Sequence, residues 1–242
     1  MELDAAFWVA LLTGLAALCQ ALSGFGFSLL VVPPLSLVIG ARQAVVVANL
    51  LSVALGLLIV GQLRRSVDWR LFRWLFAGSV AGMPLGLAVI LAVDQTVLKA
   101  MIAVVVLVST VALWRGLRFA KASRRGDLAA GFISGVLNTS TSMSGPPVVV
   151  YLQGQETAPA NFRATLAAYF LASSTIAVGL LAAGGEVRGS SLAYAGLGLV
   201  AVFPAWAIGS RLGRKVEPRR FRALVMAVLV VSAAVALATV AV

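Results

Sequence analysis

Two short polar segments interrupt an otherwise apolar chain, and their residue types suit the capture of a small anion. The first reads Gln20-Ala21-Leu22-Ser23-Gly24-Phe25-Gly26-Phe27 and is followed by Pro33-Pro34. The second reads Asn138-Thr139-Ser140-Thr141-Ser142-Met143-Ser144-Gly145-Pro146-Pro147. A helix that starts inside a membrane leaves its first N–H groups without intrahelical partners. Those groups carry partial positive charge and form a ready anion site. Gly24, Gly26 and Gly145 allow the close backbone approach that bulky residues would block, and Pro146 and Pro147 suit a helix start. The hydroxyls of Ser23, Thr139, Thr141, Ser142 and Ser144 can cap helices or donate to bound oxygens. Phe25 and Phe27 beside such a site would narrow it or favour a less hydrated ligand.

Each of these residues also has a plainer explanation. Ser/Thr/Gly runs serve as helix caps and close-packing surfaces. Gln20 and Asn138 each precede a break by a few residues, and buried amides need partners, so packing explains them about as well as ligand contact. Asn49 is equally ambiguous. Tyr151 and Gln153 follow the second break as pathway lining, with an interfacial ring an equal reading of Tyr151. What favours binding is the pairing: Ser23-Gly24 and Ser144-Gly145 lie 121 residues apart. Broken helices at corresponding positions of two halves point to a transporter's substrate site.

The elements that must position these segments follow from composition. Hydrophobic residues make up 61% of 242 and charged residues 11%, whereas soluble domains carry roughly a quarter charged residues. About 20 apolar residues cross a bilayer, which predicts full spans near 43–62, 71–93, 98–114, 161–182, 191–210 and 223–242. The stretches 5–39 and 128–154 are each expected to enter, stop at the polar motif and continue as a shorter helix. The whole chain, 1–242, reads as one membrane domain. The acidic start, Met1-Glu2-Leu3-Asp4, lacks the basic region of a cleaved signal peptide, so the first apolar segment is expected to be retained. Cys19 is the only cysteine, which leaves no internal disulfide.

Charge supplies the orientation. Of the 19 basic residues, 15 fall in or beside three connections, 63–73, 115–127 and 211–222. By the positive-inside rule those connections are cytoplasmic, so the net charge of +11 concerns topology and not nucleic acid. With the loops so placed, 5–39 must begin and end outside and 128–154 must begin and end inside. The expected fold is therefore an all-α polytopic membrane protein with two inverted repeats, about 5–115 and 127–242, each a broken-helix hairpin followed by three transmembrane helices. Matched polar and special residues support the repeat: Gly14 with Gly135, Arg42 with Arg163, Ser52 with Ser173, Gly78 with Gly198 and Pro84 with Pro204.

Arg42 and Arg163 each begin the span after a broken segment. They read either as a cationic anion vestibule at each mouth or as arginines snorkelling to headgroups. Gly78, Gly82 and Gly86 recur every four residues and predict a helix-packing seam. Trp8, Trp69, Trp74, Trp114 and Trp206 mostly fall near span ends, where interfacial anchors belong. The absence of histidine removes Ser-His dyads and His-based metal sites, so no enzymatic activity, metal or cofactor is expected.

Ser23 to Phe27 lead into Val32-Pro33-Pro34-Leu35, and the second half carries Gly131-Phe132-Ile133-Ser134-Gly135, Ser144-Gly145-Pro146-Pro147 and Val150-Tyr151-Leu152. In these residues the chain resembles the TauE/SafE family of membrane permeases, the sulfite exporters. Phe25 and Phe27 stand where family members tend to have a richer glycine run, and Ser144-Gly145 where they often carry Gly-Gly. The resemblance implies export of a sulfur oxyanion or organosulfonate in a bacterial inner membrane. An anion channel, or a permease for another small anion such as a carboxylate, stays open. The expected partners are a small anion and membrane lipid, with a homodimer compatible and no nucleic acid. No intramembrane Asp or Glu suggests a proton relay, and membrane potential alone favours anion exit.

Overall fold

A computed structural model describes residues 3–115, 123–153, 159–212 and Val230. All regular structure among them is helical. The order is α1 (Leu3–Ser23), α2 (Phe27–Ile39), α3 (Ala41–Leu63), α4 (Trp69–Ala92), α5 (Gln95–Trp114), α6 (Arg124–Thr141), α7 (Gly145–Gln153), α8 (Pro159–Ala183) and α9 (Gly189–Leu212). Six of these, α1, α3, α4, α5, α8 and α9, contain stretches long and apolar enough to cross a membrane. The protein is a multi-pass membrane protein.

Five expected spans coincide with α3, α4, α5, α8 and α9 to within three residues at each end. The sixth, 223–242, lies outside the described residues apart from Val230. The first broken segment continues as a shorter helix, α2 after α1, as expected, and α1 supplies a 19-residue candidate span on its own. One expectation needs correction: the segment 63–73 is not one loop. A single 3-10 turn covers Arg64–Ser66 and α4 begins at Trp69, because Asp68 caps it by accepting from the N–H groups of Arg70 and Leu71. An N-cap carboxylate satisfies donors that the helix itself cannot.

Polar contacts sort the helix ends into two groups. At one end, the Ala41 N–H donates to Gln95 Oε1 at 3.0 Å and Gln43 Nε2 donates to Ser190 Oγ at 2.8 Å. There too Arg42 donates to the Val93 carbonyl at 2.6 Å and pairs with Glu186 at 3.5 Å. At the other end, the Asp68 N–H donates to Thr165 Oγ1 at 2.9 Å, and the Arg124 guanidinium lies 3.7 Å over the Trp74 ring. Tyr151 also reaches the start of α6 there, its hydroxyl 3.0 Å from the Ser123 carbonyl. Thus α6 and α7 enter and return at the Asp68 end, whereas α1 and α2 enter and return at the Arg42 end.

The packing of α4 on α6 is unusually close. A Cβ built on Gly78, Gly82 or Gly86 would fall on the carbonyls of Leu128, Phe132 and Val136. Reciprocally, one on Gly131 or Gly135 would fall on the carbonyls of Leu75 and Ser79. Main chain therefore meets main chain, as small residues permit in the absence of a hydrophobic drive between helices. The seam expected on α4 is thus observed, and its partner is α6. On the opposite flank α1 packs on α9, with Gly14 against Ala201 and Gly209 against Leu18. α3 and α8 cross between these two pairs, where a side chain on Gly56 would overlap Leu171.

Candidate functional site

The two breaks are built differently. At the first, Gly24 (φ 84°) and Gly26 (φ 99°) both take left-handed backbone conformations, which side chains resist. That double turn ends α1 and restarts the chain as α2 within three residues. At the second, Ser142 itself is left-handed (φ 61°) and closes α6, its N–H donating to the Asn138 carbonyl at 2.8 Å. Tyr169 donates to Ser134 Oγ at 2.7 Å, and Ser134 donates to the Ser144 carbonyl at 2.6 Å. This relay from α8 through α6 fixes where α7 begins.

The breaks meet. Ser28 Oγ on the first turn of α2 lies 3.2 Å from Ser142 Oγ and 3.4 Å from Ser52 Oγ on α3. Around that contact is a small, half-open cleft. Its polar lining is Gln20, Ser28, Ser52, Ser142, Ser144 and Ser174, and its apolar walls include Phe27, Ile59, Met143 and Phe170. No charged side chain lines it among the described residues. Gln20 is 7% exposed, and its Oε1 has no hydrogen-bond partner among them.

The N–H donors are unequally shared between the two short helices. Gly26 caps α2 without a side-chain bond, and Leu30 N–H is the first to find an intrahelical carbonyl, that of Gly26. The amides of Phe27, Ser28 and Leu29 are therefore the unpaired donors of that helix start, and all three residues line the cleft. In α7, Pro146 and Pro147 carry no N–H. The helix start with more unpaired N–H donors is that of α2.

The cleft has a direction. Ser174, Phe170 and Ala167 line it along one face of α8, and Arg163 follows one turn further on that face, toward the Asp68 end. Ser52, Gly56 and Ile59 run the same way along α3. Arg163 is exposed, packs against Gly24 and donates to the Ala21 carbonyl at 3.4 Å. Arg42 lies at the opposite end, held by Glu186 and by the Val93 carbonyl just after α4.

Of the residues expected from sequence, Gln20, Gly26, Phe27, Ser142, Ser144 and Gly145 line the cleft, and Gly24 turns the chain beside it. Phe25 packs against the core beside the first break. Other expected residues lie elsewhere. Thr139 and Thr141 donate back to the carbonyls of Gly135 and Leu137 in their own helix. Pro146 follows Gly145 in α7 without lining the cleft. Tyr151 stands at the far end of α7, and its hydroxyl bonds Asp127 and Ser123. Asn138 is fully buried but off the cleft. The side chains of Ser23 and Gln153 lie outside the described set.

Sequence reasoning missed Ser28, Ser52 as a lining residue, Ser174 and Phe170. A lone hydroxyl in an apolar helix gives no local signal. The only available one was the match of Ser52 with Ser173, which points to the right turn of α8 but one residue away from the lining serine.

Residues 9–236 match the family described as Sulfite exporter TauE/SafE. No curated protein and no solved structure gives a significant match to the chain.

Proposed function

The chain belongs to the sulfite exporter TauE/SafE family of membrane transporters, and on that premise we propose that it carries sulfite or a small organosulfonate out of the cell through this cleft. The observation that supports the reading best is the meeting of the two breaks, Ser28 to Ser142 at 3.2 Å. It brings serine hydroxyls, the Gln20 amide and the uncapped start of α2 around one space. Neutral donors of this kind suit a tetrahedral or pyramidal oxyanion, because several oxygens can be bonded at once without a permanent ion pair. Phe27, Ile59 and Phe170 would receive a short carbon substituent.

The proposed cycle is alternating access between two inverted repeats. The arrangement that supports it is the helix pairing: α1 on α9 in one flank corresponds to α6 on α4 in the other, and the hairpins enter from opposite ends. The Asp68 end, where Arg64, Arg65, Arg124 and Arg125 gather, is assigned to the cytoplasm of a bacterial cell by the positive-inside rule. The cleft then faces the side from which an exported anion loads, with Arg163 beside its mouth to concentrate anions. Leaving a negative interior favours each unit of negative charge by about 2.3 kcal/mol per 100 mV, so the potential drives exit.

The test is counterflow in proteoliposomes preloaded with sulfite, sulfate, thiosulfate, sulfoacetate or an apolar carboxylate. Saturable exchange of one sulfur anion, lost in Ser144→Ala and Gly145→Leu, is the expected result. Exchange of the carboxylate alone overturns the substrate class, and flux without counterflow overturns the carrier in favour of a pore.

A further inference from the structure

Asn138 is 1% exposed and neither its Nδ2 nor its Oδ1 has a hydrogen-bond partner among the described residues. Asn49, 0% exposed, faces it from α3: Asn49 Nδ2 donates to the Val45 carbonyl at 3.1 Å and to the Asn138 carbonyl at 3.3 Å. The Asn49 Oδ1 is left without a partner. A buried amide oxygen without a hydrogen bond is costly, and Asn49 and Asn138, on neighbouring helices, each leave one unused.

Asn138 lies in the last turn of α6. α6 ends at Thr141, and the last amides to bond back into it, those of Ser142 and Met143, go to the carbonyls of Asn138 and Leu137. The carbonyls of Thr139, Ser140 and Thr141 come after these and have no intrahelical donor. They form the negative end of the α6 dipole inside the protein. The C-terminal ends of interrupted membrane helices, together with neutral side-chain oxygens, form a recognised setting for an alkali cation. A carboxylate is absent from the set, which favours a monovalent over a divalent ion.

We propose that Asn49 Oδ1, Asn138 Oδ1 and the C-terminal carbonyls of α6 hold one alkali cation, Na⁺ or K⁺, with a retained water that accepts from Asn138 Nδ2. The ion stays bound and supplies the positive charge that the neutral cleft lacks. Ser52 and Ser142, which line the cleft, lie about one helical turn along α3 and α6 from Asn49 and Asn138. The cation and an anion in the cleft therefore attract each other, and each tightens binding of the other by the same factor. This rests on the anion reading of the cleft but adds a second site and a second ligand.

The test uses purified full-length protein in detergent, with two independent readouts. The first is direct saturable binding of radioactive ²²Na⁺ or ⁸⁶Rb⁺ without any sulfur anion. The second is sulfite affinity in NaCl, KCl and choline chloride at equal ionic strength. The proposal expects saturable cation binding, and sulfite affinity about tenfold weaker in choline. Asn138→Leu and Asn49→Leu should lose both effects. Asn138→Asp, which keeps the oxygen and adds charge, should bind the cation more tightly and guards against misfolding as the explanation. Saturable binding of ²²Na⁺ alone would identify Na⁺ as the occupant, and of ⁸⁶Rb⁺ alone K⁺. Equal sulfite affinity in all three salts with no saturable cation binding overturns the cation site and leaves the anion reading standing. Saturable cation binding without sulfite binding in any salt supports the cation site and overturns the anion reading.

Discussion

The Tyr151 hydroxyl lies 2.7 Å from the Asp127 carboxylate, across 24 residues of sequence, and so ties the last turn of α7 to the first turn of α6. Gly126 makes room for it, since a Cβ there would touch the phenol ring and its oxygen. Tyr151→Phe should therefore lower stability by about 1–3 kcal/mol, because it leaves a buried acceptor without its donor. Gly126→Ala should destabilise by a similar route. Thermal unfolding in detergent reads both, and an unchanged midpoint in Tyr151→Phe would show that the clasp carries no weight.

The α4–α6 seam predicts a sharp contrast among glycines. Gly82→Ala and Gly135→Ala place a methyl group on the carbonyls of Phe132 and Ser79, and should abolish folded, monodisperse protein. Gly196→Ala in α9 meets nothing within 4 Å, and should be neutral or stabilising by up to about 1 kcal/mol through helix propensity. Size-exclusion profiles of the three variants, expressed in parallel, give the comparison.

Within the cleft, Ser28→Ala and Ser142→Gly should each weaken binding of the transported anion by roughly five- to tenfold, the loss of one hydrogen bond. Glycine is the appropriate replacement at 142, because the left-handed backbone there would strain alanine. The two hydroxyls are 3.2 Å apart, so the double variant should lose less than the sum of the singles. Additive losses in a double-mutant cycle would separate the two serines.

Arg163 and Arg42 should behave differently. Arg163→Gln is expected to slow anion uptake into the cleft several-fold at low ionic strength, with the difference vanishing at high salt as screening removes the attraction. Arg42→Gln should instead lower stability, because it removes the partner of Glu186 and the donor to the Val93 carbonyl. Stopped-flow binding at two salt concentrations and a thermal melt separate these roles.

The positions of the breaks were legible in the sequence because glycine, proline and clustered hydroxyls are conspicuous against an apolar background. Gly24, Gly26 and Ser142 turn the chain as that pattern implies. Five of the expected membrane spans, those of α3, α4, α5, α8 and α9, were legible for the same reason. The division of labour inside the motifs was not. Thr139 and Thr141 look like ligands by type, yet a threonine inside a helix can bond back to the carbonyl four residues earlier, and both do. Ser28 and Ser174 could not be found at all, since what makes them part of the cleft is the crossing of helices far apart in sequence. The same holds for the seam: the spacing of Gly78, Gly82 and Gly86 was readable, but the choice of α6 as partner depends on Gly131 and Gly135 arriving opposite.

That seam has a consequence for how the molecule can move. Where two helices touch through side chains, small shifts are absorbed by changing rotamers. α4 and α6 touch through their backbones, so there is almost nothing between them to rearrange, and packed interiors do not deform gradually. The two helices must travel as one beam. Ser142 hangs from the end of that beam, so any rearrangement that parts it from Ser28 has to find its hinge elsewhere, and the paired left-handed glycines just before Ser28, Gly24 and Gly26, offer one.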